Sequence, residues 1–548
     1  IVVTAQKREE NIQDVPLAIT AFSPEKLDAL GIQTAQDLER ITPGLTVTNA
    51  VGFQVYFLRG VGTDAFLPGA DSSVPFYLDG VALLGAQGSA DTLGRVQRVE
   101  VLKGPQGTLF GRNATGGAVN IITPDPSFDS AYGDVNLEFG NYDQHKALVY
   151  ANIPITESLA AVVSGFYQKQ DNFYTNDTGP ILEPYSRGGR IKVRWNALDN
   201  LSLTLAGSIQ EFANNSGLTF ENTRVAPILC PTDALLGIPL CVLPQDPKAD
   251  RHISADSLNG AQGTSRIASA TIDWSLPAID TKLTVSAQKL DVPFVQADFD
   301  TSNLPIINIT SIKQVGKQET AELQFLSNDE TWGSDYVEWV AGLFYFHSQG
   351  GYDPIAFGVA PNLLGELIAP LQGVSDAVAD LLVALGQQPL TDVIQVNSYG
   401  VLDTKALSGY IQGTFHLGEA FDLTLGLRYQ DEKRNLEGAR TTFPTANGEI
   451  NVIPLNGSSG VDELHAKQWS PRVALQWRPI ENDPTQIYVS WSRAFKSPTY
   501  NTVNLLGGLT TTIAAITRGQ TPLLPEIKPL KEEQVDTFEL GTKMVLLD

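Results

Sequence analysis

Histidine, cysteine and paired carboxylates carry most protein chemistry, and in this chain their spacing offers little of it. The five histidines, at 145, 252, 347, 416 and 465, show neither His-x-x-x-His nor Cys-His spacing, so no ligand set is laid out for a metal. Cys230 and Cys241 bound a loop-like stretch, CPTDALLGIPLC. That proximity suits a local disulfide in an oxidising compartment, with two free thiols as the alternative. Glycines gather at 104, 107, 111, 116 and 117 and again in Gly60-Val61-Gly62, where a phosphate-cradling loop would be sought. No Gly-Lys-Ser/Thr ending accompanies them, and no convincing helix follows Gly62, so nucleotide binding does not follow. Tight turns and close backbone packing explain these glycines better. No catalytic constellation emerges, no cofactor is called for, and the chain reads as a non-enzyme.

Charge and patterning say more. The chain has 548 residues, 61 of them acidic and 37 basic, for a formal net charge of −24 at pH 7. Such a surplus of carboxylates repels phosphate, which excludes a nucleic-acid partner. A hydrophobic content of 42% is that of a folded protein. No stretch reaches the ~18 apolar residues of a membrane-spanning helix, since the most apolar segment, 363–385, is interrupted by Glu366, Asp376 and Asp380.

Strands remain, and the pattern for them is strong. In LSLTLAGSIQ, Leu201, Leu203, Leu205 and Ile209 share one face, while Ser202, Thr204, Ser208 and Gln210 share the other. RIKVRW, FDLTLGLRYQ, RVALQW and QIYVSW repeat the alternation. A soluble sandwich also alternates, but connection lengths separate the two readings. Brief turns are expected at Pro154 to Glu157, Ala197 to Asn200, Leu276 to Asp280, Gly418 to Ala420 and Ile480 to Pro484. Long excursions are expected at about 213–264, 291–317, 348–404, 432–465 and 497–530. Short turns at one end and long loops at the other, with Trp195, Trp274, Trp477 and Trp491 near strand ends, describe a transmembrane antiparallel β-barrel.

About fourteen such strands are expected after Gly133. Before them lies a small α/β unit with strands at Val55 to Leu58, Phe76 to Leu78, Val96 to Lys103 and Ala118 to Ile122. Its helix is expected from a Thr34/Asp37 capping box through Ile41, stopped by Pro43-Gly44. A barrel of about fourteen strands is too narrow to hold a folded unit of this size, so either the chain continues beyond Asp548 or the first domain lies outside the pore.

Specific stretches resemble the TonB-dependent outer-membrane receptors, in which an N-terminal plug fills a barrel of about 22 strands. IVVTA (Ile1, Val2, Val3, Thr4 and Ala5) is similar to the TonB box of that family. QDVPLAITAFS (13–23), LRGVG (58–62), VPFYLDGV (74–81) and RVEVLKGPQGTLFGRNATGGAVNIIT (98–123) resemble its plug motifs in order. AELQFLS (321–327), SWSRAFKSP (490–498) and KPLKEEQVDTFELGTK (528–543) resemble barrel segments. The resemblance implies a TonB box at 1–5, a plug at 6–127 and a barrel from 128 to 548 lacking its C-terminal strands.

It also implies function. A β-branched terminal segment is preorganised to add as a strand to a partner's sheet edge, here a TonB-type periplasmic energy-coupling protein, with an ordinary disordered terminus as the alternative. Arg59, Glu322 and Glu539 match charged positions that latch plug to barrel wall in the family. Arg112 stands near a second such arginine, with a solvated lumen charge as the alternative. The implied setting is the bacterial outer membrane, with its lipid and lipopolysaccharide. The implied activity is active uptake of a scarce small molecule, by default a ferric siderophore, with a hydrophobic, aromatic or carbohydrate-derived nutrient as the alternative. A passive porin, adhesin or phage-receptor barrel, or a secreted soluble β enzyme, are the rival classes. Leu364, Leu367, Leu371, Val374, Val378, Leu381 and Leu385 further predict an amphipathic helix within the 348–404 excursion.

Overall fold

Alternation is imposed on a strand when one face meets lipid and the other meets a packed or wet interior, and the structure assembles the alternating stretches into one wall. The computed structural model describes residues 1–32, 34–50, 53–63, 71–84, 94–176, 181–214, 251–253, 260–298, 307–359, 394–445, 448–454, 463–480, 485–500 and 529–544. Cys230, Cys241 and the 363–385 segment lie outside these residues.

The wall is a single antiparallel sheet whose path runs through fourteen strands, each bonded to the next in chain order. They are Tyr132–Gly140, Gln144–Pro154, Leu159–Lys169, Tyr185–Leu198, Leu201–Asn214, Gly260–Leu276, Ile279–Asp298, Ile307–Ser327, Val337–Val359, Ile394–His416, Phe421–Thr445, Leu464–Trp477, Gln486–Lys496 and Glu533–Lys543. Gly448–Pro454 pairs alongside Phe421–Thr445. Among the described residues the first and last strands do not pair with each other, so the sheet is open.

The two faces differ as the pattern demands. Along Phe421–Thr445, Leu425 and Leu427 are exposed outward, while Thr424, Arg428, Gln430, Glu432 and Arg434 are buried inward. Outward aromatics border the apolar band near the short turns, at Trp195, Trp274, Phe421 and Trp477. The strands run further than the pattern suggests. Val337–Val359 and Ile394–His416 each extend 23 residues, well into the expected 348–404 excursion. Past the lipid-facing stretch Tyr352 and Ile355 turn into an apolar cluster with Phe212, Leu290, Val292 and Val295, so the ladder continues after the alternation that reveals it has stopped.

Residues before 123 form the plug. Its main sheet orders Ile19–Phe22, Arg98–Lys103, Gly117–Ile122, Phe76–Leu78 and Val81–Ala82, with only the Gly117–Ile122/Phe76–Leu78 pair parallel. A second sheet joins Leu45–Ala50, Phe53–Leu58 and Val61–Gly62. Phe22, Leu27, Leu38, Tyr56, Leu58, Val99, Val101 and Val119 fill its core. The Thr34/Asp37 box forms reciprocally, Thr34 N donating to Asp37 at 3.0 Å and Asp37 N to Thr34 Oγ1 at 3.2 Å. The box opens one short 3-10 segment, Gln36–Arg40, instead of an α-helix through Ile41. The remaining run before Pro43-Gly44 is too short to settle into α-helix. The α-helix of this region is Pro24–Ala29, capped by Ser23. The plug lies against the inward polar face of the wall and not outside it, because an open fourteen-strand sheet curves around a body that a closed barrel of that size could not admit.

Candidate functional site

The N-terminal segment is the first place to look, because a strand-forming terminus can either stay free or be captured by the fold. Here it is captured. Val2–Val3 pairs antiparallel with Glu10–Asn11, and Val3 and Ala5 are buried in the plug's second apolar cluster with Val15, Leu17, Leu102 and Ala118. Thr4 fixes the depth. Its backbone N and its hydroxyl both donate to Glu100 Oε1, at 2.9 and 3.1 Å. Glu100 is fully buried, and Arg98 Nε at 2.7 Å and Asn120 Nδ2 at 3.2 Å satisfy it. A buried carboxylate needs such partners. Removing Thr4 withdraws two of its donors at once.

The next three residues grip the wall. Gln6 Oε1 accepts from Gln412 Nε2 at 2.8 Å, Lys7 Nζ meets Glu322 Oε2 at 3.2 Å, and Arg8 Nη2 donates at 2.7 Å to the carbonyls of Ser327 and Trp339. Ser327 and Trp339 flank a short connection, so this grip sits at the short-turn end. That end is periplasmic in a barrel of this kind. Beside it opens a cavity of about 490 Å³, lined by Lys7, Arg8, Glu10, Trp274, Lys282 and Glu338 among others. Burial pushes the Glu10 carboxyl up to about 7, and the neighbouring Glu338 charge adds to the rise while Gln6 and Arg8 oppose it.

The charged positions singled out from the sequence fall into three separate junctions. Arg59 Nη1 reaches Glu539 Oε2 at 2.5 Å, and Tyr488 donates to Glu539 Oε1 at 2.6 Å. Glu322 pairs with neither plug arginine. Its partners are Lys7 and the Tyr410 hydroxyl, the latter at 2.8 Å. Arg112 is almost fully buried and is no solvated charge. It meets Glu432 at 3.1 Å and Asp71 at 3.0 Å, and it packs over the Phe346 ring at 4.1 Å. Arg434 closes a square by binding Glu432 at 2.6 Å and contacting Asp71. Burial opposes ionisation of Asp71, yet the Arg112 and Arg434 guanidiniums overcome it and hold the carboxyl down at about 2.

Two of these junctions, at Glu322 and Glu539, lie near the short-turn end, and the Glu432 square lies deeper toward the long loops. Further bonds fill the space between. Arg472 Nη2 donates to the Pro16 carbonyl at 2.9 Å, Lys543 Nζ to Ile12 and Val15 at 2.6 Å, and Lys192 Nζ to Thr123 at 3.2 Å. The glycine run owes its composition to this contact. A Cβ at Gly107 would stand 2.9 Å from the Arg493 carbonyl, and one at Gly111, where φ is +83°, would stand 2.8 Å from the Arg428 guanidinium. Lys7, Asp71, Glu100, Glu432 and Arg434 escaped the sequence reading. Inward-facing charges on an alternating strand were the available signal for Glu432 and Arg434. His145, His347, His416 and His465 each hydrogen-bond one aspartate, and among the described residues no three metal-ligating side chains converge.

This geometry can be set beside known proteins. Residues 244–548 match a family model described as TonB dependent receptor-like, beta-barrel, and residues 11–118 match one described as TonB-dependent receptor plug domain. The chain is 28% identical over 229 residues to the pesticin receptor of Yersinia pestis, a match covering 41% of this chain and 32% of that protein. It is 28% identical over 183 residues to the vitamin B12 transporter BtuB of Vibrio vulnificus, covering 32% of this chain and 29% of that one. These matches therefore span about a third of each relative's length. Among solved structures, the ferric yersiniabactin uptake receptor FyuA of Yersinia pestis superposes with a TM-score of 0.69 at 18% identity, covering 97% of this chain and 70% of that chain. At that identity the likeness is one of fold.

Proposed function

Because the chain belongs to the TonB-dependent receptor family, we propose that it is an uptake receptor of the bacterial outer membrane, driven by traction on its N-terminal segment. In this reading Ile1–Ala5 is the segment to which a TonB-type periplasmic protein adds by strand pairing, residues 6–127 are the plug, and 128–548 are wall. The observation that carries the reading is the route from Thr4 to the wall. Thr4 is bonded through Glu100 to Arg98–Lys103, an interior strand of the plug sheet, and Gln6, Lys7 and Arg8 are bonded to the wall directly after it. Tension on Ile1–Ala5 therefore acts on the plug core and on the plug–wall contact together. A passive barrel has no use for that arrangement.

The cargo we propose is a ferric siderophore. Support comes from fold neighbours named as a ferric yersiniabactin uptake receptor and a siderophore receptor, while the vitamin B12 transporter among the relatives marks the alternative of another scarce nutrient. No described residue favours a hydrophobic or carbohydrate cargo. Fold alone does not choose between ligands. The test is deletion of Ile1–Ala5 with assembly kept intact, followed by uptake of a panel of radiolabelled ferric siderophores under iron limitation. Binding retained with uptake lost is the expected result. Unchanged uptake would sink the proposal.

A further inference from the structure

We infer that the outer surface of the wall carries a binding site for the phosphate groups of a phosphorylated glycolipid of the external leaflet, formed by Arg266, Lys289 and Lys317. The inference rests on the reading that the wall spans the outer membrane.

Three observations carry it. The first is register. Arg266 stands directly opposite Lys289, and Lys289 directly opposite Lys317, so three adjacent strands present three cations in one unbroken cross-strand row. Directly opposed Cβ atoms are ~4.5–5.5 Å apart, and like charges so placed repel. Among the described residues one carboxylate pairs with them: Asp291 lies 2.9 Å from Arg266 and 2.8 Å from Lys289. Lys317 is exposed and has no ion-pair partner among the described residues. Nearby Glu319 faces His347, at 3.9 Å, on the next strand. The patch thus keeps a surplus of positive charge within a chain whose net charge is −24.

The second observation is direction. Alternation turns Arg266 to the side of exposed Ile272 and Trp274, and Lys289 to the side of exposed Val285. Lys317 faces away from Gln318, whose amide donates to the plug's Ala82 carbonyl at 2.7 Å. The row therefore points away from the plug.

The third is level. At the short-turn end, the same three strands place Trp274, Thr281 and Phe325 opposite one another in a matching outward row. Eight residues along each strand separate the two rows, which is ~26 Å along the strand and ~20 Å across the membrane after a ~40° tilt. The upward reach of the long cationic side chains brings the span close to the ~25 Å apolar band. Farther around the wall, Tyr345, Tyr429 and Trp469 lie just inside the corresponding outward row of His347, Lys405, Lys433 and His465, as an aromatic border does. The cations lie at the headgroup level of the leaflet on the long-loop side, and the opposite edge of the same strands has an uncharged row. Guanidinium and ammonium groups at that level suit phosphate oxygens, with Arg266 able to bind in fork geometry and the lysines as point charges.

The test uses the full chain, extracted from outer membranes in mild detergent, with bound phosphorylated glycolipid counted by native mass spectrometry. Arg266→Gln, Lys289→Gln and Lys317→Gln combined should lower its occupancy at least ~10-fold, while inward-facing Lys282→Gln leaves it unchanged. Lys317→Gln alone breaks no ion pair; should the triple variant fail to assemble, this single variant carries the test with an expected loss of several-fold. Added dephosphorylated glycolipid should compete poorly against the phosphorylated form. Equal occupancy in parent and variants, or equal competition by the dephosphorylated lipid, overturns the inference. Ligand uptake is read in parallel. Normal uptake with unchanged lipid occupancy refutes the site alone, whereas a chain that extracts without detergent refutes the outer-membrane reading beneath it.

Discussion

Lys7→Met isolates the step that frees the N-terminal segment. Lys7 and Glu322 are each about 11% exposed at the side chain and stand 3.2 Å apart. Removing one member of a buried pair costs ~3–5 kcal/mol, because the other is left charged and without its counter-ion. Tyr410 continues to donate to Glu322 at 2.8 Å, which places the cost near the lower limit, about 3 kcal/mol. When the segment is undocked Glu322 has lost Lys7 in parent and variant alike, so the whole cost falls on the docked state. At 1.4 kcal/mol per decade, the docked-to-undocked ratio falls ~100-fold. A spin label on Val2→Cys reads that ratio in a Cys230→Ser, Cys241→Ser background, since Val2 is half exposed and tolerates the probe. The mobile component should rise ~100-fold in Lys7→Met. Adding Glu322→Gln should restore docking, because a neutral amide at that place needs no cation. A change of less than ~3-fold, or failure of Glu322→Gln to restore docking, refutes the reasoning.

Other consequences stem from the same contacts. Glu10, opposite Val3 in the N-terminal pairing, has its carboxyl raised to about 7, so the docked state holds a proton that the free segment releases near its ordinary 4.5. The Glu10 contribution to docking is therefore fully present below pH 4.5 and is lost as pH rises through 7. Spectra of the same label should show this, and Glu10→Gln should flatten the profile. Asp71, held down at about 2, gives the opposite sign: its contribution is present above ~4 and lost as pH falls through 2. Asp71→Asn should cost about 2 kcal/mol in urea unfolding of the plug at neutral pH, below the full buried-pair value because a quarter of the side chain is exposed. Gly107→Ala drives a Cβ against the Arg493 carbonyl at 2.9 Å and the Ala494 backbone at 3.0 Å, at a cost of ~1–3 kcal/mol. The plug should loosen and admit a bulky hydrophilic antibiotic, while Gly165→Ala, whose nearest neighbour is 3.8 Å away, should not.

Much of the wall was legible because lipid on one face and a polar interior on the other force a period of two. The short turns at Pro154, Leu198, Leu276 and His416 appeared where the apolar face broke off. Strand ends beyond the lipid were not legible, since a register shift between Tyr352 and Ile355 breaks the period of two while both side chains stay buried. In the plug, the glycine run announced close packing but not its partner, as Gly107 and Gly111 meet wall residues more than 300 positions away. Charge pairing was the least readable. Arg59 and Glu539 stand together, but Glu322 takes Lys7, and Arg112 takes Glu432 and Asp71, because pairing depends on strand register and plug depth. IVVTA read as an available strand, and the fold has buried its Val3 and Ala5.

The central claim is that Ile1–Ala5 must leave the plug for uptake to occur. Val2 stands directly opposite Asn11 in the antiparallel pairing, where Cα atoms lie ~4.5–5.5 Å apart, so cysteines at these two positions stand within bridging reach. Val2→Cys with Asn11→Cys, in the same cysteine-free background, can be oxidised in cells and assayed for ligand binding and uptake before and after reductant. The account predicts normal binding throughout, no uptake while the bridge is closed, and uptake restored on reduction. Uptake at the parent rate with the bridge closed would contradict it.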